Sequence, residues 1–408
     1  MTDTGTISSV KTAPTARIEV GLLTGGFDRP YAYGLAMALA SKQVALDVIG
    51  SDEVDSPEMH STTGLRFLNL YGDPRRTFGL VRKAARVLIF YVRILSWAAV
   101  AKPKVFHILW NNKVQLFDRT LLMLYYKLLG KQVVFTAHNV NAGERDGNDS
   151  ALNRVTLKIQ YRLADHIFVH TPKMKQELVS GYGIHTNKVT VIPFGINNSV
   201  PDTDLTPAMA KRRLGVRKSE KTILFFGALR PYKGLEYLVA AFQQLTSTHT
   251  DYRLVIAGEP KRGSEAYLEE IQASIAGDVA AGRTVASLEF IPDDETELYF
   301  KAADVLVLPY TLVFQSGVLF LGYSFGLPAI ATSVGSFADD IIEGRTGFLC
   351  KPSDPSELAK AIEQYFASDL YQELDSRRAE IRSYAEAGHS WDEVGSVTRR
   401  VYAGLLGK

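Results

Sequence analysis

Apolar and polar positions alternate along the first half of the chain in blocks typical of strands followed by helices. Residues 17–24 form an apolar run of strand length, the glycine pair 25–26 follows as a tight turn, and residues 30–42 have apolar residues at helical spacing. Later segments include predicted strands at 44–50, 104–110, 132–136, 167–170 and 189–192, and an apolar helix at 121–129. This alternation predicts a parallel, doubly wound α/β unit.

The same alternation begins again in the second half. Predicted strands lie at 222–226, 253–257, 288–291, 305–309 and 329–332, and predicted helices at 234–245, 264–275, 294–302, 318–325 and 356–366. Two further helical segments, 370–386 and 391–406, have no strand partner. The pattern predicts a second doubly wound α/β unit, which faces the first across a cleft, and such clefts are common ligand sites.

Turn-forming residues without any apolar period separate the two units and predict an interdomain linker over residues 196–207. We therefore expect a first domain over 17–195 and a second over 208–388. The last segment, 389–408, is expected to form a helix that crosses back to the first domain. Residues 1–16 are rich in Ser, Thr and Ala and predict a disordered tail.

Composition limits the class of protein. A chain of 408 residues is too long for one ordinary core, and a net charge of +2 gives no general indication of nucleic-acid binding. The single cysteine, Cys350, excludes an internal disulfide, which fits a reducing compartment. No apolar run reaches the roughly 20 residues of a spanning helix, so a cytoplasmic location is expected.

Two cations follow the predicted strand at 222–226. Gly227 ends this strand, Arg230 and Lys233 come within six positions, and a helix is predicted from Gly234. Phosphorylated ligands bind at the carboxyl edge of open α/β sheets, and both cations suit phosphate oxygens. The loop therefore indicates a diphosphate site, with a turn carrying two solvated cations as the alternative.

Two more strand ends carry candidate residues. His138 follows the strand at 132–136, while Gly25 and Gly26 allow a ligand to approach the backbone closely. A capping or core histidine is the alternative for His138, and no other histidine has comparable neighbours. The glycine pair lacks the full G-x-G-x-x-G spacing of a dinucleotide-binding turn.

Four segments, in this order, resemble the retaining glycosyltransferases of GT-B fold often called family 4. They are the turn at 24–26, the histidine segment 136–139, the loop 227–234, and the group formed by 307–310, 315–317 and 326–332. The resemblance covers about residues 17–400. It implies two Rossmann-like domains across a cleft, with the acceptor on the first domain and a nucleotide sugar on the second.

The resemblance also implies roles for single residues. The implied catalytic residues are His138, which touches the transferred sugar, and Arg230 and Lys233, which neutralise the donor diphosphate. The implied donor contacts are Gly25, Gly26, Gly227, Arg230, Lys233, Ile291, Gln315, Ser316, Gly317 and Val318. The donor substrate is expected to be a UDP- or GDP-sugar, and no cofactor is expected.

One feature departs from the family pattern. The family usually carries two glutamates before the G-x-P turn, and these positions fall on Val313 and Leu321. The second glutamate normally holds the donor ribose, so Gln315 and Ser316 are the nearest polar substitutes. They precede an apolar helix whose first amides are suited to an anion, with ordinary helix capping as the alternative.

An acidic triplet in the linker raises the possibility of a metal. Asp202 and Asp204 form the D-x-D pattern on which metal-dependent glycosyltransferases of another fold hold their ion. Here the triplet lies away from any predicted strand end, and no His/Cys cluster has ligand spacing. We therefore expect no metal site.

The segment 74–117 contains nine lysines and arginines and no acidic residue. Apolar residues recur among them at helical spacing, and a basic amphipathic helix is typical of membrane-surface binding. Arg82, Lys83 and Arg86 are therefore candidate contacts with an acceptor or an anionic membrane. The alternative is a helix packed on the sheet with a solvated basic rim.

The sequence as a whole predicts a retaining, metal-independent glycosyltransferase that moves a hexose to a saccharide or lipid-linked acceptor in polysaccharide or glycoconjugate assembly. Its expected partners are the nucleotide sugar, the acceptor and an anionic membrane surface, without nucleic acid. A non-catalytic binding or scaffold protein on a degraded GT-B fold is the alternative, motivated by the missing glutamates. A Rossmann-fold oxidoreductase is a third hypothesis that fits the same alternation of strands and helices.

Overall fold

The computed structural model describes residues 17–73, 79–145, 147, 149–196, 200–261 and 263–407. The predicted tail, 1–16, lies outside the described residues. So do residues 197–199 of the predicted linker and 74–78 of the basic segment.

The first unit is built on a seven-stranded, parallel sheet. Its strands are β1 (Glu19–Leu23), β2 (Ala45–Gly50), β3 (Leu65–Asn69), β4 (Val105–Ile108), β5 (Gln132–Thr136), β6 (His166–Val169) and β7 (Val189–Val191). The strand order is β3-β2-β1-β4-β5-β6-β7. The direction of winding therefore reverses between β1 and β4, and the central strands are buried because helices cover both faces.

Several helices of this unit begin at residues whose side chains cap them. They are α1 (Arg29–Ser41), α2 (Pro57–Ser61), α3 (Leu80–Val100), α4 (Gln115–Phe117), α5 (Met123–Leu128), α6 (Ala142–Arg145), α7 (Ala151–Leu163) and α8 (Pro172–Tyr182). A π-helical turn, Asp118–Leu122, joins α4 to α5. Asp28 and Thr171 cap α1 and α8, each of which has proline in its first turn.

The second unit has a six-stranded, parallel sheet of order β10-β9-β8-β11-β12-β13. Its strands are β8 (Lys221–Phe226), β9 (Tyr252–Ala257), β10 (Thr284–Ser287), β11 (Val305–Leu308), β12 (Ala329–Thr332) and β13 (Gly347–Cys350). The helices are α9 (Pro207–Arg213), α10 (Leu235–Thr246), α11 (Glu265–Ala280), α12 (Asp293–Ala302), α13 (Gly317–Ser324), α14 (Phe337–Asp340), α15 (Pro355–Ala367), α16 (Asp369–Gln372), α17 (Leu374–Gly388) and α18 (Trp391–Leu405). Here the winding reverses between β8 and β11.

The predicted class, two doubly wound α/β units, is confirmed. The predicted strand at 288–291 is wrong: these residues form the loop after β10, which occupies 284–287. The segment 288–291 is the more apolar of the two, but β10 pairs only with β9 at the sheet edge and has exposed positions. The edge strand β3 is missing from the prediction for the same reason, since its half-exposed residues give a weak apolar signal. The edge strand β13 is also missing from the prediction, although three of its four residues are buried.

The last helix, α18, packs on α1 of the first unit. The ring of Trp391 lies so close to Gly34 and Gly195 that a Cβ at either glycine would be 2.2 or 2.3 Å from it. Further along α18, the Tyr402 hydroxyl is 2.6 Å from Nδ1 of His107 on β4. These contacts attach the end of the chain to the first sheet.

Candidate active site

A glycine turn follows β1, at the point where the winding of the first sheet reverses. Gly25 has φ 70° and Gly26 has φ 81°, a left-handed conformation that favours glycine. A Cβ at Gly25 would lie 2.6 Å from Cβ of Trp110, and one at Gly26 would lie 3.0 Å from the ring of Tyr71. Thr24 Oγ1 accepts a hydrogen bond from the Gly26 amide at 3.1 Å. The turn is therefore fixed against an aromatic wall.

His138 follows β5 in the same crevice. Its ring stacks on Trp110 with centroids 4.0 Å apart, and Tyr31 meets it edge-on at 4.5 Å. Its Nδ1 atom is 3.1 Å from Nε2 of His170. Burial above all, with His170 and His107 as smaller causes, lowers the pKa of His138 well below its usual 6.5. His138 is therefore a neutral ring in a tightly oriented setting.

The Gly227 loop follows β8, where the winding of the second sheet reverses. Gly227 has φ 103°, and a Cβ there would lie 3.0 Å from Nζ of Lys233 and 3.3 Å from Val318. Lys233 is only 7% exposed, while Arg230, partly buried, directly precedes the 3₁₀ turn that ends at Lys233. The structure thus brings Lys233, Gly227 and the start of α13 together, with Arg230 on the same loop.

Polar groups at the start of α13 are not used in capping this helix. Ser316 occupies the N-cap position and is buried, but its hydroxyl makes no capping hydrogen bond. Gln315 Oε1 is buried and has no hydrogen-bond partner among the described residues. Val313 and Leu321, where the resemblance places glutamates, belong to the apolar core of the second unit. The polar end of this crevice is therefore formed by Gln315, Ser316 and the first amides of α13.

Phe194 lies between the two crevices. Its ring is 6.3 Å from that of His138 and 6.0 Å from that of Phe320, and it would be 3.3 Å from a Cβ at Gly317. Phe314, on the loop before α13, packs against the core of the first unit. The candidate site is therefore one cleft, with His138 on one wall and Gly317 near the other.

The remaining predicted residues lie further from this centre. Ile291 is buried in the core of the second unit, so only its backbone is available to a ligand. Arg82 and Lys83 are exposed on α3. Arg86 is half-buried, donates a hydrogen bond to the Asp73 carbonyl at 2.6 Å, and lines a small pocket that also includes Tyr71, Phe90 and Lys113.

Two residues of the acidic triplet of the linker, Asp202 and Thr203, are held by other side chains. Asp202 pairs with Lys301 at 2.7 Å and with Arg382 at 3.2 Å, and the Thr203 hydroxyl bonds to Glu297 at 3.0 Å. Within the described part of the chain, no group of three His, Cys, Asp or Glu residues is placed to hold a metal ion.

Sequence reasoning missed three aromatic residues of the cleft: Trp110, His170 and Phe194. The expectation that no other histidine has neighbours comparable to those of His138 is wrong, because His170 lies beside it. A signal was present for two of them. Trp110 and His170 are the last residues of the predicted strands at 104–110 and 167–170, close to the carboxyl end of a strand as His138 is.

Two family models match the chain: Glycosyltransferase Family 4 over residues 30–200 and Glycosyl transferases group 1 over residues 220–368. Sucrose-phosphate synthase from Thermosynechococcus elongatus has a similar structure, with a TM-score of 0.75 and 19% sequence identity over 96% of this chain and 100% of that chain. The chain belongs to the GT-B glycosyltransferases of the family 4 type. The family resemblance predicted from the sequence is thus confirmed.

Other proteins are similar to this chain over different lengths. The D-inositol 3-phosphate glycosyltransferase of Acidothermus cellulolyticus is 30% identical over 52% of this chain and 48% of its own length. The chain spans about half the length of the first curated relatives that it matches. The structure of Anabaena HepE in complex with UDP and glucose aligns with a TM-score of 0.71 and 15% identity, covering 95% of this chain and 100% of that chain.

Proposed function

We propose that this protein transfers a hexose from a nucleoside-diphosphate sugar to a saccharide or lipid-linked acceptor, with retention of configuration, in polysaccharide or glycoconjugate assembly. The observation that carries the proposal is the position of Lys233, a buried cation packed against Gly227 and the start of α13. A buried ammonium group beside helix amides is suited to a diphosphate.

The two walls of the cleft would have different functions in the transfer reaction. On the second unit, Lys233, Arg230 and the amides of α13 would bind the diphosphate and stabilise the charge that develops as it leaves. The bond from the sugar carbon to the diphosphate oxygen breaks, a bond to the acceptor oxygen forms on the same face, and the acceptor proton passes to the departing phosphate. The aromatic wall of Trp110 and Phe194 would keep water from the sugar.

Gln315 is proposed to replace the usual glutamate in holding the donor ribose. Its buried Oε1 has no hydrogen-bond partner among the described residues, and a ribose hydroxyl is a donor that would satisfy it. The structure of HepE with UDP and glucose agrees with a nucleoside-diphosphate sugar as donor, whereas the Acidothermus relative is named for a different acceptor, an inositol phosphate.

The outer face of α3 supports a peripheral position on an anionic membrane. This helix packs on the first unit through Phe90, Tyr91 and Ile94, and it leaves Leu88 67% and Val92 56% exposed. The neighbouring α4–α5 segment also exposes apolar side chains, namely Leu116, Leu121, Leu124 and Leu128. Apolar residues among cations are typical of surface binding, and a membrane would supply a lipid-linked acceptor on the cytoplasmic side.

No helix in the described ranges has both the length and the apolar character that crossing a bilayer requires.

Transfer is expected to continue in excess EDTA. Lys233 and Arg230 offer the positive charge that a metal otherwise supplies, and Asp202 is held by Lys301 and Arg382. The measurement is the transfer rate with and without EDTA. A loss of activity that Mn²⁺ or Mg²⁺ restores would contradict the proposed metal independence.

The function is tested by combining nucleotide binding with turnover. Calorimetry with UDP, GDP and NAD identifies the nucleotide, and incubation with UDP- and GDP-sugars measures sugar transfer and hydrolysis. We expect the protein to bind one nucleoside diphosphate and to turn over the corresponding sugar nucleotide. We also expect NMR of the product to show the same anomeric configuration as the donor. Tight binding without transfer or hydrolysis would favour the scaffold alternative, which the apolar residues Val313 and Leu321 at the usual glutamate positions motivate. Binding of NAD alone would favour an oxidoreductase.

A further inference from the structure

Two histidines from adjacent strands lie side by side at the cleft. Strands β5 and β6 are parallel neighbours in which Thr136 is opposite Phe168. His138 and His170 each come two residues later, which places them next to one another past the strand ends. Their rings are 5.0 Å apart, and Nδ1 of His138 is 3.1 Å from Nε2 of His170. In this hydrogen bond, one of the two nitrogens must carry the proton and donate, and the other must be unprotonated and accept.

The direction of this hydrogen bond follows from the other side of His170. Its Nδ1 faces the backbone carbonyl of Ile192 at 3.4 Å, and the Pro193 carbonyl also interacts with the ring. Carbonyl oxygens only accept, so Nδ1 of His170 carries the proton. Burial lowers the pKa of His170 from 6.5 to about 4, so the ring is neutral at pH 7. Because its Nδ1 carries the one proton of the neutral ring, its Nε2 is unprotonated.

His138 must then donate a hydrogen bond from Nδ1–H to the unprotonated Nε2 of His170. Because His138 is also neutral, its own Nε2 has no proton. That atom is buried and has no hydrogen-bond partner among the described residues. In the opposite tautomer of His170, with the proton on Nε2, the lone pair of Nδ1 would face the Ile192 carbonyl. The buried hydrogen bond between Nδ1 and this carbonyl would then be lost.

We propose that His170 is a positioning residue that holds His138 in the Nδ1–H tautomer, so that Nε2 of His138 accepts a hydrogen bond from a hydroxyl of the transferred sugar. The stack on Trp110 fixes the plane of the ring, and the hydrogen bond to His170 fixes which edge of the ring faces that histidine. His138 therefore does not act as an acid toward the leaving group. The sugar as ligand rests on the proposed function, whereas the tautomer does not.

The tautomer is measured by nitrogen NMR of the full-length protein labelled with ¹⁵N-histidine, at neutral pH and without any nucleotide. The His138→Asn spectrum assigns the two nitrogens by difference. We expect His138 to show a protonated Nδ1 and an unprotonated Nε2. Protonation at Nε2 would overturn the proposal.

Variants at His170 separate positioning from packing. His170→Gln presents an amide oxygen near the place of Nε2 and should keep the His138 tautomer. His170→Phe fills the space without an acceptor and should give a mixture of tautomers. The exposed His185→Gln is the matched control and should leave the His138 signals unchanged. The same tautomer in the wild-type and His170→Phe proteins would contradict the role of His170.

Kinetics provide the second readout. His170→Phe should lower kcat about tenfold, the equivalent of one hydrogen bond, with KM for the donor within about twofold, and His170→Gln should recover most of kcat. An equal loss in both variants would indicate packing alone and contradict the proposal. If the predicted tautomer is found but no sugar nucleotide is turned over, the proposed function fails while the positioning of His138 stands.

Discussion

Lys233 illustrates how the surroundings of a side chain set its electrostatic environment. Exposed lysines contribute little, because water screens their charge. Lys233 is instead buried, and its Nζ packs on the backbone of Gly227, a position that only glycine leaves open. A phosphate oxygen at this place would meet the ammonium group with little competing water.

Replacement of either cation of this loop should reduce sugar transfer strongly. Lys233→Ala and Arg230→Ala each remove a charge from the leaving diphosphate, which is worth on the order of 3 kcal/mol in a dry site, or roughly a hundredfold in rate. Initial rates of transfer measure the effect, with circular dichroism to verify folding. The exposed Lys218→Ala is the control. Near wild-type turnover in both cleft variants would refute the diphosphate assignment.

His107 should make stability depend on pH. It is buried between Tyr402 and Thr136, and burial lowers its pKa from 6.5 to about 3. Below pH 6.5 the unfolded chain therefore binds a proton that the folded protein does not. The stability from this group is complete above pH 6.5 and decreases by about 1.4 kcal/mol per pH unit as the pH falls toward 3.

Comparison with His107→Gln isolates this contribution. The variant should be less stable than the wild type at pH 7.5, and the difference in the free energy of urea unfolding should narrow as the pH falls to 4.5. A difference for His107→Gln that does not change with pH would contradict the assigned protonation.

At the scale of elements, α3 has two faces with different surroundings. Its inner residues Phe90, Tyr91 and Ile94 pack in the first unit, while Leu88, Ile89 and Val92 are at least half exposed. The apolar residues that suggested an amphipathic helix are thus divided between core and surface. The outer face is apolar and basic together, which a solvated rim alone does not explain.

Reversal of charge on this outer face should weaken binding to anionic vesicles. Each cation contributes about 1 kcal/mol near such a surface, so Arg82→Glu with Lys83→Glu should decrease cosedimentation at low salt at least tenfold, with nucleotide binding unchanged. Arg86 is left intact because it bonds to the Asp73 carbonyl. The exposed pair Arg212→Glu and Arg213→Glu on α9 is the control. If the wild-type protein does not bind anionic vesicles, the membrane proposal fails.

At the scale of the whole molecule, Trp391 connects the last helix to the first unit and to the segment that leaves it. Its ring packs on Gly34 and Gly195, and its Nε1 donates a hydrogen bond to the Ile196 carbonyl at 2.7 Å. Tyr31, which also contacts His138, lies 5.3 Å from the same ring. The end of the chain therefore supports one wall of the cleft.

Truncation of this ring should destabilise the protein. Trp391→Ala is expected to lower the free energy of unfolding in urea by about 3 kcal/mol, because a large partly buried ring leaves a cavity. Trp391→Phe should cost about 1 kcal/mol through the lost hydrogen bond. Arg399→Ala, exposed on the same helix, serves as the control. A loss below about 1 kcal/mol for Trp391→Ala would contradict the role of this ring in attaching α18 to the first unit.

The sequence by itself determined the two α/β units and the loops that carry Gly25, His138, Gly227 and Lys233. Local signals were sufficient for this, since buried parallel strands are apolar throughout and their carboxyl ends meet at one edge. Edge strands such as β10 were misplaced because their half-exposed residues carry little pattern.

Only the tertiary structure decided which strand ends meet. Trp110 stacks on His138, and His170 binds it, because β4, β5 and β6 are neighbours in the sheet, which spacing along the chain does not specify. Likewise, the position of Phe194 between the two walls depends on how the units pack. Contacts between residues far apart in sequence depend on packing, and no local pattern of apolar and polar residues encodes them.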